Sequence, residues 1–196
     1  MYKTQLSFQK IVCLLAVISG AALFIYSLGI MTDLYDCLYT TMMNPNNLSQ
    51  TSVDGSIIYY DMQGFNRSLV GVSIALILLD CLLYLTNTHT RRKYYIGNFV
   101  AVGLNVLAGA AATVWAHFEI EKYKAQFLQI DFEALKAHSE LWDTAYTEST
   151  IWFDLHYGVF GLIVLVAGLL IINLIWKLIL MNVEKGLIEK GKGAAV

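Results

Sequence analysis

Apolar residues fall along this chain in four long blocks separated by polar stretches. The clearest runs from Leu69 to Leu85, LVGVSIALILLDCLLYL, where seventeen residues carry a single charge, Asp80. With Thr86 and Asn87 it reaches the 18 or more residues that cross a roughly 30 Å hydrocarbon core as a helix. Ile11 to Met31, Tyr95 to Phe118 and Tyr157 to Met181 are blocks of the same kind. The expected fold is all-α, an integral membrane four-helix up-down bundle with its helices extended on the extracellular side. Residues 1–10 form a cytoplasmic N-terminus, and the spans are 11–31, 69–87, 95–118 and 157–181. Outer loops cover 32–68 and 119–156, a cytoplasmic turn covers 88–94, and 182–196 is a cytoplasmic tail. Lys3 and Lys10 before the first block imitate a secretory leader. A run of about twenty apolar residues is longer than such leaders carry and no A-x-A site closes it, so the segment is expected to be retained.

The period continues past the blocks. Phe24, Leu28, Met31, Tyr35, Leu38 and Met42 keep a 4-3-4-3-4 spacing, as do Ile58, Met62, Phe65, Leu69, Val72 and Leu76. Ala116, Ile120, Tyr123, Phe127 and Ile130 extend the third block in the same way. This is the seam spacing of packed helices, and it predicts extensions of about ten residues, or ~15 Å. Asn44-Pro45-Asn46-Asn47, with the chain's only proline, marks a turn. Asp131 is placed to cap a further amphipathic helix, FEALKAHSELW, with Phe132, Leu135 and Trp142 on its apolar face.

Composition agrees with the blocks: 57% of the 196 residues are hydrophobic and 14% charged, which is outside the range of an ordinary soluble domain. Charge then sets direction. Nine Lys and Arg lie toward the termini and the Arg91-Arg92-Lys93 turn, against Arg67, Lys122, Lys124 and Lys136 in the outer loops. The positive-inside rule puts both termini and that turn in the cytoplasm, with the chain in the plasma membrane. The outer loops carry twelve of the fifteen acids, a face that repels anions. Trp115, Trp152 and Tyr157 at the outer ends, and Tyr84, Tyr94, Tyr95 and Trp176 at the inner ones, stand where aromatic belts form. Because topology accounts for the positive charge, no nucleic-acid partner is expected. The expected partners are the bilayer and either another membrane protein or a second copy.

Polar letters inside the spans carry the candidate chemistry. Counted from the expected cytoplasmic ends, Asp80, Asn105, Asn173 and Ser19 lie at one depth, and Lys177 lies a turn lower. Such a layer either forms hydrogen bonds across helices or lines a hydrated cavity. Small residues at i+4, Ala16 with Gly20, Gly71 with Ala75, and Ala101 through Asn105 to Gly109, allow close helix packing. His117 and His156 fall at comparable height near the outer ends of the third and fourth spans. Two readings of them are an axial haem pair and, with Glu121 and Asp154, a metal site. Interfacial histidines bonded to water are the preferred reading, so no metal and no cofactor are assigned. Cys13 and Cys81 lie in spans and only Cys37 in a loop, so no loop disulfide is available.

Walker, G-x-G-x-x-G, C-x-x-C, H-E-x-x-H and G-x-S-x-G motifs are absent. The expected function is therefore non-enzymatic: an accessory subunit or sensor whose acidic outer helices engage a partner or ligand. The alternative is a small oligomeric cation or proton transporter or channel subunit using the Asp/Asn layer.

Overall fold

The computed structural model describes residues 2–30, 53, 55, 58–89, 96–142 and 147–193. Among them every regular element is a helix: α1 (Tyr2–Gly29), α2 (Ile58–His89), α3 (Ile96–Phe127), α4 (Phe132–Trp142) and α5 (Ile151–Gly193). Four of these, α1, α2, α3 and α5, are long and apolar enough to cross a membrane. The 28 residues of α1 and the 43 of α5 measure about 42 and 65 Å at 1.5 Å per residue, more than a hydrocarbon core requires.

The helices overrun the apolar blocks where the seam spacing does. α2 begins at Ile58, as the periodicity predicts, and α3 continues to Phe127, one step short of the Ile130 that the pattern includes. α1 starts at Tyr2 because Gln5, Gln9, Val12 and Ala16 already share a buried face. α5 passes the expected end at Met181 and includes most of the expected tail, where no proline interrupts MNVEKGLIEKGKG. The predicted extension of α1 beyond Met31, the Asn44–Asn47 turn, Cys37 and Arg91-Arg92-Lys93 lie outside the described residues.

The chain forms two compact units. The first comprises Met1–Gly20, Ala75–Ala111 and Leu162–Val196. Val12, Cys13 and Ala16 of α1, Leu83 of α2, Val102 of α3, and Val166 and Leu170 of α5 make its core. The buried positions repeat at threes and fours: Leu76, Asp80, Leu83 and Asn87 on α2, Asn98, Val102 and Asn105 on α3, and Val166, Leu170, Asn173 and Lys177 on α5. Half of this seam is polar. The opposite faces are apolar, with Leu78 66% and Leu107 69% exposed. A soluble bundle shows the reverse order.

The second unit comprises Ala21–Ile74 and Ala112–Gly161. Its core is aromatic and conventional. Phe127 is fully buried, with its ring 5.4 Å from Phe132 and 5.3 Å from Phe153. Phe65 packs between Trp115 and Tyr123, at 5.4 and 5.8 Å. Asp131 caps α4 as expected, its carboxylate accepting the Ala134 N–H at 3.0 Å. The Tyr123 hydroxyl donates to the Asp61 carbonyl at 2.9 Å, and that of Tyr26 to the Trp152 carbonyl, also at 2.9 Å. Gly29 faces Trp152 so closely that a Cβ there would lie 2.6 Å from Cζ3 of the ring, which makes the absence of a side chain a packing requirement.

Phe127→Ala removes the ring at the centre of this core and leaves a cavity. The expected cost is about 3–5 kcal/mol, read as a shift in the unfolding midpoint of the purified protein in detergent.

Candidate functional site

In the first unit the carboxyl group of Asp80 and the amide of Asn105 face each other from α2 and α3. Both are buried, and Asn105 Nδ2 donates to Asp80 Oδ1. Gly20 brings the backbone of α1 against the same carboxyl group, since a Cβ at that position would stand 2.6 Å from Asp80 Oδ2. Ser19 is beside them but satisfies itself, its hydroxyl donating to the Ala16 carbonyl at 2.8 Å. Ser19, Gly20, Asp80, Asn105 and Gly109 line a cavity of about 20 Å3, room for one water molecule.

Asn173 and Lys177 do not join this group, and the single layer expected from depth counting is two tiers. Asn173 Oδ1 accepts from Gln5 Nε2 at 2.9 Å. Gln5 also donates to Gln9 at 3.1 Å, and Gln9 donates to the Asn87 carbonyl at 2.6 Å. Along α1, Gln5 precedes Ser19 by about 21 Å at 1.5 Å per residue. Met181 marks the end of the apolar block but not of α5, which continues to Gly193, so depth along α5 does not start at Met181. Lys177 is buried with its ammonium 5.4 Å above the Phe99 ring, a cation–π contact in place of a pair with Asp80.

The small residues divide likewise. Ala16 is in the core, Ala101 packs against it, and Gly109 sits where a Cβ would touch Ile163 at 3.3 Å. Gly71 and Ala75 are exposed, so among the described residues this pair holds no helices together.

In the second unit, His117 and Glu121 occupy adjacent turns of α3 and meet His156 of α5. His117 Nδ1 is 2.9 Å from His156 Nε2, and Glu121 Oε1 is 3.8 Å from the same nitrogen. His156 is fully buried, and its Nδ1 contacts the Phe153 carbonyl. A carbonyl only accepts, so Nδ1 carries the proton and Nε2 presents a lone pair. The Tyr157 hydroxyl donates to Glu121 Oε1 at 2.7 Å. Asp154, grouped with these residues in the sequence, is engaged elsewhere, by Lys124 at 2.5 Å and the Thr150 hydroxyl at 2.6 Å.

Compared with protein-family models, curated proteins and solved structures, the chain matches none.

This geometry gives the axial haem reading no support. Two axial nitrogens on one iron stand about 4 Å apart, at about 2 Å per bond, with the porphyrin plane passing between them. Here they are 2.9 Å apart, with ring centroids at 5.2 Å. Gln5 and Gln9 lie outside the apolar block, and their i, i+4 spacing on the face that continues as Val12 and Ala16 is the one signal in the sequence that points to them.

Asp80 and Asn105 act as an interhelical clasp. Asp80→Asn keeps an acceptor and is expected to cost under about 1 kcal/mol, whereas Asp80→Leu leaves the Asn105 amide unpaired at about 1–3 kcal/mol. Denaturant titration in micelles, with Asn105→Leu and the double variant completing a cycle, separates their coupling from simple loss of packing.

Proposed function

We propose that this chain is a non-enzymatic multi-pass protein of the plasma membrane, an accessory subunit or sensor, with up-down helices and both termini cytoplasmic. The observation that carries this reading is the inverted polarity of the first unit. Its seam holds Gln5, Gln9, Asp80, Asn105 and Asn173 bonded to one another or to backbone, while isoleucines, leucines and valines face outward. In lipid, polar groups are stable when they pair inside the bundle, and apolar faces need no cover. The excess of Lys and Arg at the termini and in the 88–94 turn supports the orientation. The acidic segments 32–68 and 119–156 then meet the extracellular side, where a partner or ligand of positive charge finds a complementary surface.

A transporter built on Asp80 finds less support. The space at that carboxyl group is about 20 Å3, and the polar groups of the lower tier are bonded to each other. Asp80 is consequently read as holding helices together.

Two measurements test this reading. Single cysteines placed at Arg92 and at Glu133 of an otherwise cysteine-free chain are expected to react with a membrane-impermeant maleimide from opposite sides of intact cells, Glu133→Cys from outside. Labelling of Arg92→Cys from outside overturns the orientation. In liposomes, wild type and Asp80→Asn are expected to give equal proton and cation flux at the level of empty vesicles; flux abolished by the substitution overturns the accessory reading in favour of transport.

A further inference from the structure

His117, Glu121 and His156 supply one ligand atom each within 4.8 Å of one another. The three do not form a run in the sequence. His117 and Glu121 share a face of α3 at i, i+4, and His156 arrives from α5, near its N-terminal end. Two neutral imidazoles and a carboxylate are the donor set of divalent zinc-class ions.

The distances suit such an ion. Bonds of 2.0–2.1 Å at tetrahedral angles place neighbouring donor atoms roughly 3.3 Å apart. The present separations of 2.9 Å between the imidazoles and 3.8 Å between His156 and Glu121 lie on either side of that value. Adjustment by about half an ångström, within side-chain torsions alone, brings both to it.

The supporting contacts are those that metal sites use. A ligating histidine normally donates its second N–H to a carbonyl or carboxylate, which fixes tautomer and ring direction. His156 does this with the Phe153 carbonyl, so its Nε2 lone pair is aimed at the cluster before any ion arrives. The ring is held further by Tyr157 at 4.1 Å and Phe160 at 5.1 Å between centroids. Glu121 is oriented by the Tyr157 hydroxyl at 2.7 Å. His117 and Glu121 are partly exposed and His156 is buried, so the cluster is open on the side of the first two.

We propose that His117 Nδ1, Glu121 and His156 Nε2 bind a divalent zinc-class cation, with His117 as its Nε2–H tautomer and water at the fourth position. Nothing in this assignment depends on the accessory-subunit reading, because the three donors belong to one unit of one chain. Lys124, paired with Asp154, is the nearby cation, and the ion pair takes up both charges.

The full-length protein in detergent, stripped with a chelator, tests the assignment. Equilibrium dialysis against zinc is expected to load about one ion per chain, and cobalt(II) is expected to give the intense visible absorption of a tetrahedral site. His117→Gln and Glu121→Gln are each expected to weaken zinc binding at least tenfold. Glu121 is partly exposed, so its conservative replacement keeps the wild-type helicity and melting temperature and isolates binding from folding. The His89→Asn/His138→Asn variant is expected to keep full loading. Zinc uptake unchanged in both His117→Gln and Glu121→Gln, loading lost with His89 and His138, or no uptake by the wild type overturns the proposal.

Discussion

The hydrogen bond from Asn105 to Asp80 is the contact on which the first unit is built. Helices with outer faces as apolar as these gain little from burying leucine against leucine when the surrounding medium is equally apolar. What distinguishes one packing from another is then the fit of small residues and the pairing of polar ones. Gly20 admits the Asp80 carboxyl group against the backbone of α1, and Gly109 admits Ile163 against α3. Removing the polar seam would leave four interchangeable apolar rods. Keeping it fixes rotation about each helix axis, because Asp80, Asn105, Gln5, Gln9 and Asn173 have their partners only in one arrangement.

The second unit is specified differently. Large rings, Phe65, Trp115, Phe127, Phe153 and Phe160, fill it, and their burial supplies both stability and shape. Hydrogen bonds there tie helix ends to neighbours: Tyr123 to Asp61, Tyr26 to Trp152, Asp131 to its own helix. One glycine illustrates the difference. Gly20 makes room for a carboxylate, while Gly29 makes room for an indole ring.

The four long helices were legible because apolar blocks of eighteen or more residues have few other uses, and the 4-3 spacing carried α2 back to Ile58 and α3 on to Phe127. The cap at Asp131 was legible from local chemistry alone. Depth was not. Asn173 reaches the level of Asp80 only if its helix ends at Met181, and a 43-residue helix has no mark in its sequence showing where a membrane boundary falls. Rotation was equally hidden: Gly71 and Ala75 have the spacing of a packing motif but face outward, since the spacing states only that two residues share a face. Asp154 and Glu121 looked equivalent in sequence, yet Lys124 and Thr150 take up the first and leave the second beside the histidines.

His156 is the residue for which ordinary packing gives the weakest account. A fully buried imidazole among Phe153, Tyr157 and Phe160 has a polar tip that must be satisfied, and a phenylalanine at that position would fill similar space with no such demand. The Phe153 carbonyl satisfies one nitrogen, and the other accepts from His117 with Glu121 alongside. Interhelical adhesion needs one donor and one acceptor, as Asn105 and Asp80 demonstrate in the first unit. Three convergent donor atoms, two of them oriented by further contacts, exceed that need. The excess is what separates a binding geometry from a clasp, and it arises from the relative rotation of α3 and α5 rather than from any run of letters.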